Sequence, residues 1–289
     1  MDFIVKTICL PNPGETVQAE DYLVLPGGKG ANQAVAVSRM GGNVELIGCI
    51  GEDEYGESIK KDLKKNGVNL KHLRTTNNKK TGISLIGVEQ SGNNIIITYP
   101  GANDSLSCKD IDDAKSIIEN SKLVVLHWDV KQKVGEYFIK LSKKLGKKVV
   151  LNLAPIRPIN EEVFKLIDYL IINEIEASKL SNVDVKNIES GMAAGKEIQN
   201  SGIEVVIITL GDKGAILFDK DEPKYYPALN VEVIDAIGAG DTFIGTFSKF
   251  CLEMTNQRAV SLACKAASLS VTRRGAMSSI PTNEELRDV

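Results

Sequence analysis

Apolar and polar positions fall into two regimes along this chain. Over residues 3–25, and again over 81–99, short apolar stretches are broken by turn-forming residues. Ile4, Ile8 and Leu10 mark a strand over 3–10. Pro11-Asn12-Pro13-Gly14-Glu15 is a turn, and 17–25 reads as the returning strand. Thr81 to Glu89 reads as a further strand, Gln90 to Asn94 as a turn, and Ile95 to Tyr99 as its return. Four β segments joined by turns, without helical crossovers, predict a small antiparallel sheet that serves as a lid.

From about Asp110 onward the pattern changes. Residues 123–127, 148–153, 169–172 and 205–210 are apolar runs without alternation, as in strands covered on both faces. Helical periodicity fills the intervals, for example over 134–145 and 187–200. This predicts an α/β fold: a doubly wound, mostly parallel sheet flanked by helices, one unit over 1–289 with the lid at 3–25 and 81–99. Ligands of such sheets bind beyond the carboxyl ends of the strands. Asp129, Asn152, Asn173, Glu176, Thr209 and Gly211 fall there. Nearer the start, 44–51 reads as a short buried strand and 56–66 as a helix closed by Gly67.

Composition narrows the partners. With 35 basic and 38 acidic residues, the net charge of −3 gives no electrostatic footprint for nucleic acid. No apolar run is long enough to span a membrane, and the first residues lack the pattern of a secretory signal. Cys9, Cys49, Cys108, Cys251 and Cys264 have neither metal-ligand nor disulfide-framework spacing, which points to a reducing cytoplasmic setting. Cys49 and Cys251 read as core thiols.

Two glycine-rich helix starts carry the chemistry. In Asp235-Ala-Ile-Gly-Ala-Gly-Asp241-Thr-Phe, a strand-like run (Val231, Val233, Ile234) leads into a turn that opens a helix over about 242–254. Unpaired N–H groups at a helix start attract phosphate. A carboxylate at that first turn, kept ionised by the helix dipole, suits a base. The alternative is an ordinary acidic residue after a glycine turn. In Gly27-Gly28-Lys29-Gly30-Ala31-Asn32-Gln33, backbone comes close to a ligand while Lys29 and Asn32 supply polar groups; the alternative is a plain turn that caps a helix.

Together with PGET (13–16), Asn173-x-x-Glu176, ITLGDKG (208–214) and VTRRGA (271–276), these pieces resemble, in order, the ribokinase branch of the PfkB sugar-kinase family. The resemblance runs from Asp2 almost to the C-terminus. It implies ATP-dependent phosphorylation of the 5-hydroxyl of D-ribose, with a related pentose or nucleoside kinase, or a weakly active sugar- or nucleotide-binding relative, as alternatives. It makes Asp241 the catalytic base and Gly238, Ala239 and Gly240 the anion hole. It makes Asp2, Gly27, Gly28, Lys29, Gly30, Asn32 and Asp129 sugar ligands, with Asp241 facing the sugar as well. Asn173, Thr209, Leu210, Gly211, Asp212, Lys213 and Gly214 match the nucleotide site, which Gly240 and Asp241 adjoin, and Cys264 stands on its adenine side. Glu176 would act on Mg²⁺ through water, or else serve only as a helix-start carboxylate. Asp235, Ile237, Ser270, Arg273, Gly275 and Ser279 match a K⁺ site; the alternative is a C-terminal loop packed on that turn without an ion. The resemblance also implies a homodimer paired through the lid.

The match departs at four places. The family opens with a main-sheet strand ending in a Gly-Ser-x-Asn-x-Asp type motif, and Met1-Asp2 matches only the end of it. Two unpaired ladder edges, or a rearranged sheet, are therefore expected. Ala236 replaces a usual Thr, Ile244 a usual Asn, and Cys264 an adenine-side residue.

Overall fold

The computed structural model describes residues 1–90 and 94–287. The turn expected at 90–94 thus lies largely outside the described residues. Strand β1 (Asp2–Thr7) is followed by β2 (Ala19–Leu25), α1 (Lys29–Arg39), β3 (Gly48–Gly51), α2 (Glu54–Lys65) and β4 (Leu73–Thr76). Then come β5 (Ile83–Glu89) and β6 (Asn94–Tyr99), α3 (Cys108–Asp113) and α4 (Lys115–Asn120). The main alternation runs β7 (Leu123–His127), α5 (Gln132–Lys144), β8 (Lys148–Asn152), α6 (Glu161–Phe164), β9 (Tyr169–Asn173), α7 (Glu174–Ser181), α8 (Ile188–Gln199) and β10 (Val205–Thr209). The chain finishes with β11 (Ala215–Phe218), β12 (Lys224–Tyr226), α9 (Ala239–Phe250), α10 (Asn256–Ser270) and α11 (Asn283–Arg287).

Among the described residues, one sheet has the order β12-β11-β10-β9-β8-β7. Strands β7 to β10 are parallel, and β11 and β12 run antiparallel at the far edge. Successive residues of each inner strand feed opposite cores. Val149, Leu151, Leu170, Ile172, Val206 and Ile208 pack under α5, α7 and α8. Val150, Ile171, Val205 and Ile207 pack under α9 and α10. Both faces are dry, so the strands carry no polar alternation. Burying each such side chain contributes about 1.5–3 kcal/mol relative to exposure.

The lid joins β2, β1, β5 and β6 in that order. Two of its pairings are antiparallel, as expected, but the central one, β1 with β5, is parallel. The chain between the two hairpins returns to the end where it started, so their first strands lie side by side in the same direction. Three expected segments are also shorter or absent. β1 stops at Thr7, the 44–51 strand is reduced to β3, and residues 231–234 before α9 form no strand. The last of these carries Val233 and Ile234 in the open, 58% and 51% exposed, with no sheet to cover them. Among the described residues, β3 pairs only with β4, as a separate two-stranded sheet, and β7 is the last strand of the main sheet. The expected pair of unmatched edges is therefore present at β3 and β7.

Helices α1 and α9 touch closely. A β-carbon on Gly245 would stand 2.4 Å from Ala36 Cβ and 2.5 Å from Gln33 O, so only glycine allows this approach. That contact brings the two glycine-rich helix starts together.

Candidate active site

Asp241 sits in the first turn of α9, where it meets the first turn of α1. Asn32 Nδ2 donates to Asp241 Oδ2 at 2.8 Å, and Gln33 Nε2 donates to Oδ1 at 2.9 Å. Both donors are buried. Burial pushes the Asp241 carboxyl above its ordinary value; the two amides and the Lys29 ammonium oppose the shift, and Asp2 adds to it. Desolvation therefore outweighs the two amides and the Lys29 charge. The backbone agrees with a helix mouth. Gly238 is the N-cap at φ 81°, and the first intrahelical bond runs from Thr242 N–H to Gly238 O at 2.8 Å. The N–H groups of Gly240 and Asp241 precede that bond and are left without helical acceptors. Gly240 is helical and, unlike Gly238, has no positive φ.

A cavity of about 970 Å³ opens in front of Asp241. Its walls include Asp2, the Gly27–Asn32 loop, Asp129, Asp235, Ile237 and Gly238, and the inner face of the lid closes over it through Ile4, Ser84, Ile86 and Thr98. Asp2 is 8% exposed and its carboxyl packs on Gly27; a β-carbon there would lie 1.8 Å from Oδ2. Burial raises the Asp2 carboxyl, against the adjacent α-amino group, Ser84 and Lys29. Lys29 reaches Asp129 at 3.7 Å, and Arg157 reaches it from the other side at 3.2 Å. The Lys29 ammonium opposes the upward shift at Asp2, Glu176 and Asp241 alike.

The expected nucleotide residues lie beside this cavity, outside its walls. Thr209 ends β10 and donates to Ile172 O at 3.4 Å. Gly211, Asp212 and Lys213 form an exposed 3-10 turn closed by Gly214, while the side chain of Leu210 is buried in the core. Asn173 and Glu176 form a reciprocal cap on α7: Asn173 Oδ1 accepts from Glu176 N–H at 2.8 Å, and Glu176 Oε2 accepts from Asn173 N–H at 2.9 Å. The helix-start reading of Glu176 thus holds geometrically. Its carboxyl is raised by burial, with the Asn173 N–H and Lys29 opposing. Cys264 departs most from its expected place. It is 4% exposed, packed in the α9–α10 core with its Sγ toward Tyr226 O, and burial pushes its thiol up to about 12.

Asp235 ties the helix mouth to the C-terminal loop. Its Oδ1 accepts from Ile237 N–H at 3.0 Å and its Oδ2 from Gly275 N–H at 2.9 Å. Ser270 and Ser279 are buried, and the Arg273 side chain pairs with Glu285. Among the described residues, no group of three or more His, Cys, Asp or Glu side chains could by itself enclose a metal ion. A Mg²⁺ ion bound mainly by water and phosphate needs only one or two carboxylates.

Sequence reasoning missed three site residues. Gln33 follows Asn32 directly, and its role shows only once α9 is in place. Arg157 comes from a loop with no motif. His127 did carry a signal, as a titratable residue ending an apolar strand.

This is an α/β protein with a lidded cleft, where a carboxylate at a helix mouth faces a cavity walled on one side by a glycine-rich loop. A family model described as pfkB family carbohydrate kinase matches residues 1–283. The chain is 36% identical to ribokinase of Haemophilus influenzae over 285 residues, 98% of this chain and 93% of that protein. It is 31% identical to deoxyribokinase of Salmonella typhi, across 100% of this chain and 95% of the other. The structure of Arabidopsis thaliana ribokinase complexed with ribose and ATP superposes with a TM-score of 0.88 at 31% identity, covering 99% and 94% of the two chains. The chain belongs to the pfkB family of carbohydrate kinases.

Proposed function

We propose that this protein transfers the γ-phosphoryl group of ATP to the 5-hydroxyl of D-ribose. The observation that carries this reading is the position of Asp241, gripped by Asn32 and Gln33 at the α9 mouth and facing the Gly27–Asn32 pocket. Family membership, with whole-length similarity to ribokinases, supports it.

Ribose lies against Asp2, Gly27, Gly28, Lys29, Gly30, Asn32 and Asp129. Asp241 takes the proton from the 5-hydroxyl as its oxygen forms a bond to the γ-phosphorus. The bond to the β–γ bridging oxygen breaks and ADP leaves. The N–H groups of Gly238, Ala239 and Gly240 receive the negative charge that spreads over the moving group, the Ala239 N–H giving up its 3.3 Å bond to Ala236 O to do so; one such donor is worth about 2.7–4 kcal/mol in a measured case. Phosphoryl transfer passes through a loose transition state, so placement and charge stabilisation dominate. The nucleotide rests along Asn173 and Thr209 to Gly214, with Gly240 and Asp241 at its phosphate end. Cys264 contributes to the adenine side only through the packing behind β12.

Glu176 would hold Mg²⁺ through water; the ion supplies charge neutralisation on the phosphates. Asp235, with backbone carbonyls near Ile237, Ser270, Arg273, Gly275 and Ser279, would hold K⁺ and stiffen the helix-mouth loop. The hard-oxygen donor set fits both ions.

The chain acts as one α/β unit with its lid, and pairs through that lid into a homodimer. Tyr22, Val24, Leu85, Ile95 and Ile97 share its outer face by register, and Tyr22 and Ile97 are 72% and 63% exposed. A patch of that kind marks an interface. Free cysteines throughout the described residues fit a cytoplasmic enzyme. No helix among the described residues is long and apolar enough to cross a membrane.

A coupled ADP-release assay with ribose, 2-deoxyribose and other pentoses tests this. Turnover is expected with ribose, at a higher kcat/KM than with 2-deoxyribose. Sugar binding without any ADP release would overturn it.

A further inference from the structure

His127 closes β7 at the carboxyl end of the main sheet, and its ring borders the cavity beside the first turn of α1. Geometry fixes its tautomer. The backbone N–H of Asp129 donates to Nδ1 at 3.2 Å, so Nδ1 holds the lone pair. In the neutral ring Nε2 then carries the proton. Nε2 lies near Gly30, where a β-carbon would stand only 3.3 Å away. No described residue accepts a hydrogen bond from Nε2, and the atom is not among the sealed, unpartnered ones of the interior. Burial and then the Lys29 ammonium hold the imidazole down to about 4, against the pull of Asp129. The ring is therefore neutral at ordinary pH and keeps one N–H.

The neighbouring wall is rich in acceptors. Asp2 and Asp129 present carboxylates to the cavity. A hydroxyl group needs an acceptor for its proton and a donor for its oxygen. Lys29 is drawn toward Asp129, and the free N–H groups of α9 belong to the other helix mouth. His127 supplies a neutral, directional side-chain donor on the α1 side, beside the free backbone N–H groups of the α1 start.

We propose that His127 is a sugar-specificity residue whose Nε2–H donates to one hydroxyl oxygen of the bound polyol, selecting sugars that carry that hydroxyl. This rests on the kinase reading above. A site built to pair a particular hydroxyl discriminates against the analogue that lacks it, because its own polar group is then left unpaired.

The test compares full-length wild type with His127→Gln, His127→Asn and His127→Leu. KM for sugar, KM for ATP and kcat are measured with ribose and with analogues each lacking one hydroxyl. Calorimetric sugar binding is measured alongside. His127→Leu and His127→Asn should raise the ribose KM and Kd on the order of tenfold, the loss of one hydrogen bond to a buried polar group. KM for ATP should stay within about twofold, since the lost contact is to sugar alone. His127→Gln, with a longer amide, should restore most of the affinity. One deoxy analogue should bind wild type and His127→Leu equally. If the leucine variant does not fold, the Asn and Gln pair decides. Unchanged ribose affinity, or an equal shift for ATP and every analogue, overturns the proposal. Sugar binding without turnover by wild type would defeat the kinase reading, and the calorimetric series would still decide His127.

Discussion

The Asn32 amide donates to the Asp241 carboxylate across 2.8 Å, and this bond joins positions 209 residues apart in the chain. With the parallel bond from Gln33 it fixes both carboxylate oxygens. Two donors stabilise the ionised form, while burial disfavours it more strongly. The base therefore titrates above the ordinary carboxylate range. Activity is expected to be full above that raised pKa and to fall as pH drops through it. Gln33→Met removes one donor to the charged form, so the pKa rises further and the acid limb of kcat moves to higher pH. Paired pH–rate profiles check this; a limb that stays in place, or moves to lower pH, contradicts it.

Glu176 has two candidate roles that separate cleanly. Glutamine at this position keeps the reciprocal cap on α7, because its amide oxygen also accepts from Asn173 N–H. Glu176→Gln should thus leave the melting temperature unchanged and raise the Mg²⁺ concentration needed for half-maximal rate. Glu176→Ala should also lose about 1 kcal/mol of stability, the value of one such hydrogen bond. An unaltered Mg²⁺ titration for Glu176→Gln would leave the residue as a cap alone.

The outer face of the lid gives a third expectation. Leu85 and Ile97 are cross-strand partners with their side chains in the open. Leu85→Asp or Ile97→Asp places a charge at the centre of the patch. Either should convert a dimer to a monomer in sedimentation velocity and leave the melting temperature of the monomer nearly unchanged. A wild-type protein that sediments as a monomer would remove the basis for this expectation.

The central strands were legible because both their faces are buried, as Val149 to Leu151 and Val205 to Ile208 show. The two glycine-rich helix starts were legible from motif alone. The rest depended on contacts the sequence does not encode locally. The parallel pairing of β1 with β5 depends on where the intervening chain returns. Val233 and Ile234 look like strand residues yet remain uncovered. β11 and β12 are short and lie next to a turn, so their strand character emerges from pairing with β10. α10 buries mostly small residues, Ala259, Ala263 and Ala266 among them, so its period is weak in the sequence. Gln33 and His127 gain meaning only once α9 and the Asp129 backbone are set beside them.

The most direct measurement is single-turnover phosphorylation of ribose by Asp241→Asn, with sugar and ATP binding measured on the same sample. Asparagine keeps the size of the side chain and can still pair with one amide of Asn32 or Gln33, but it cannot take a proton. The account predicts ribose and ATP affinities near wild type and a chemical step slower by about 10²–10⁴-fold, the usual worth of a positioned base. A chemical step at the wild-type rate would contradict it.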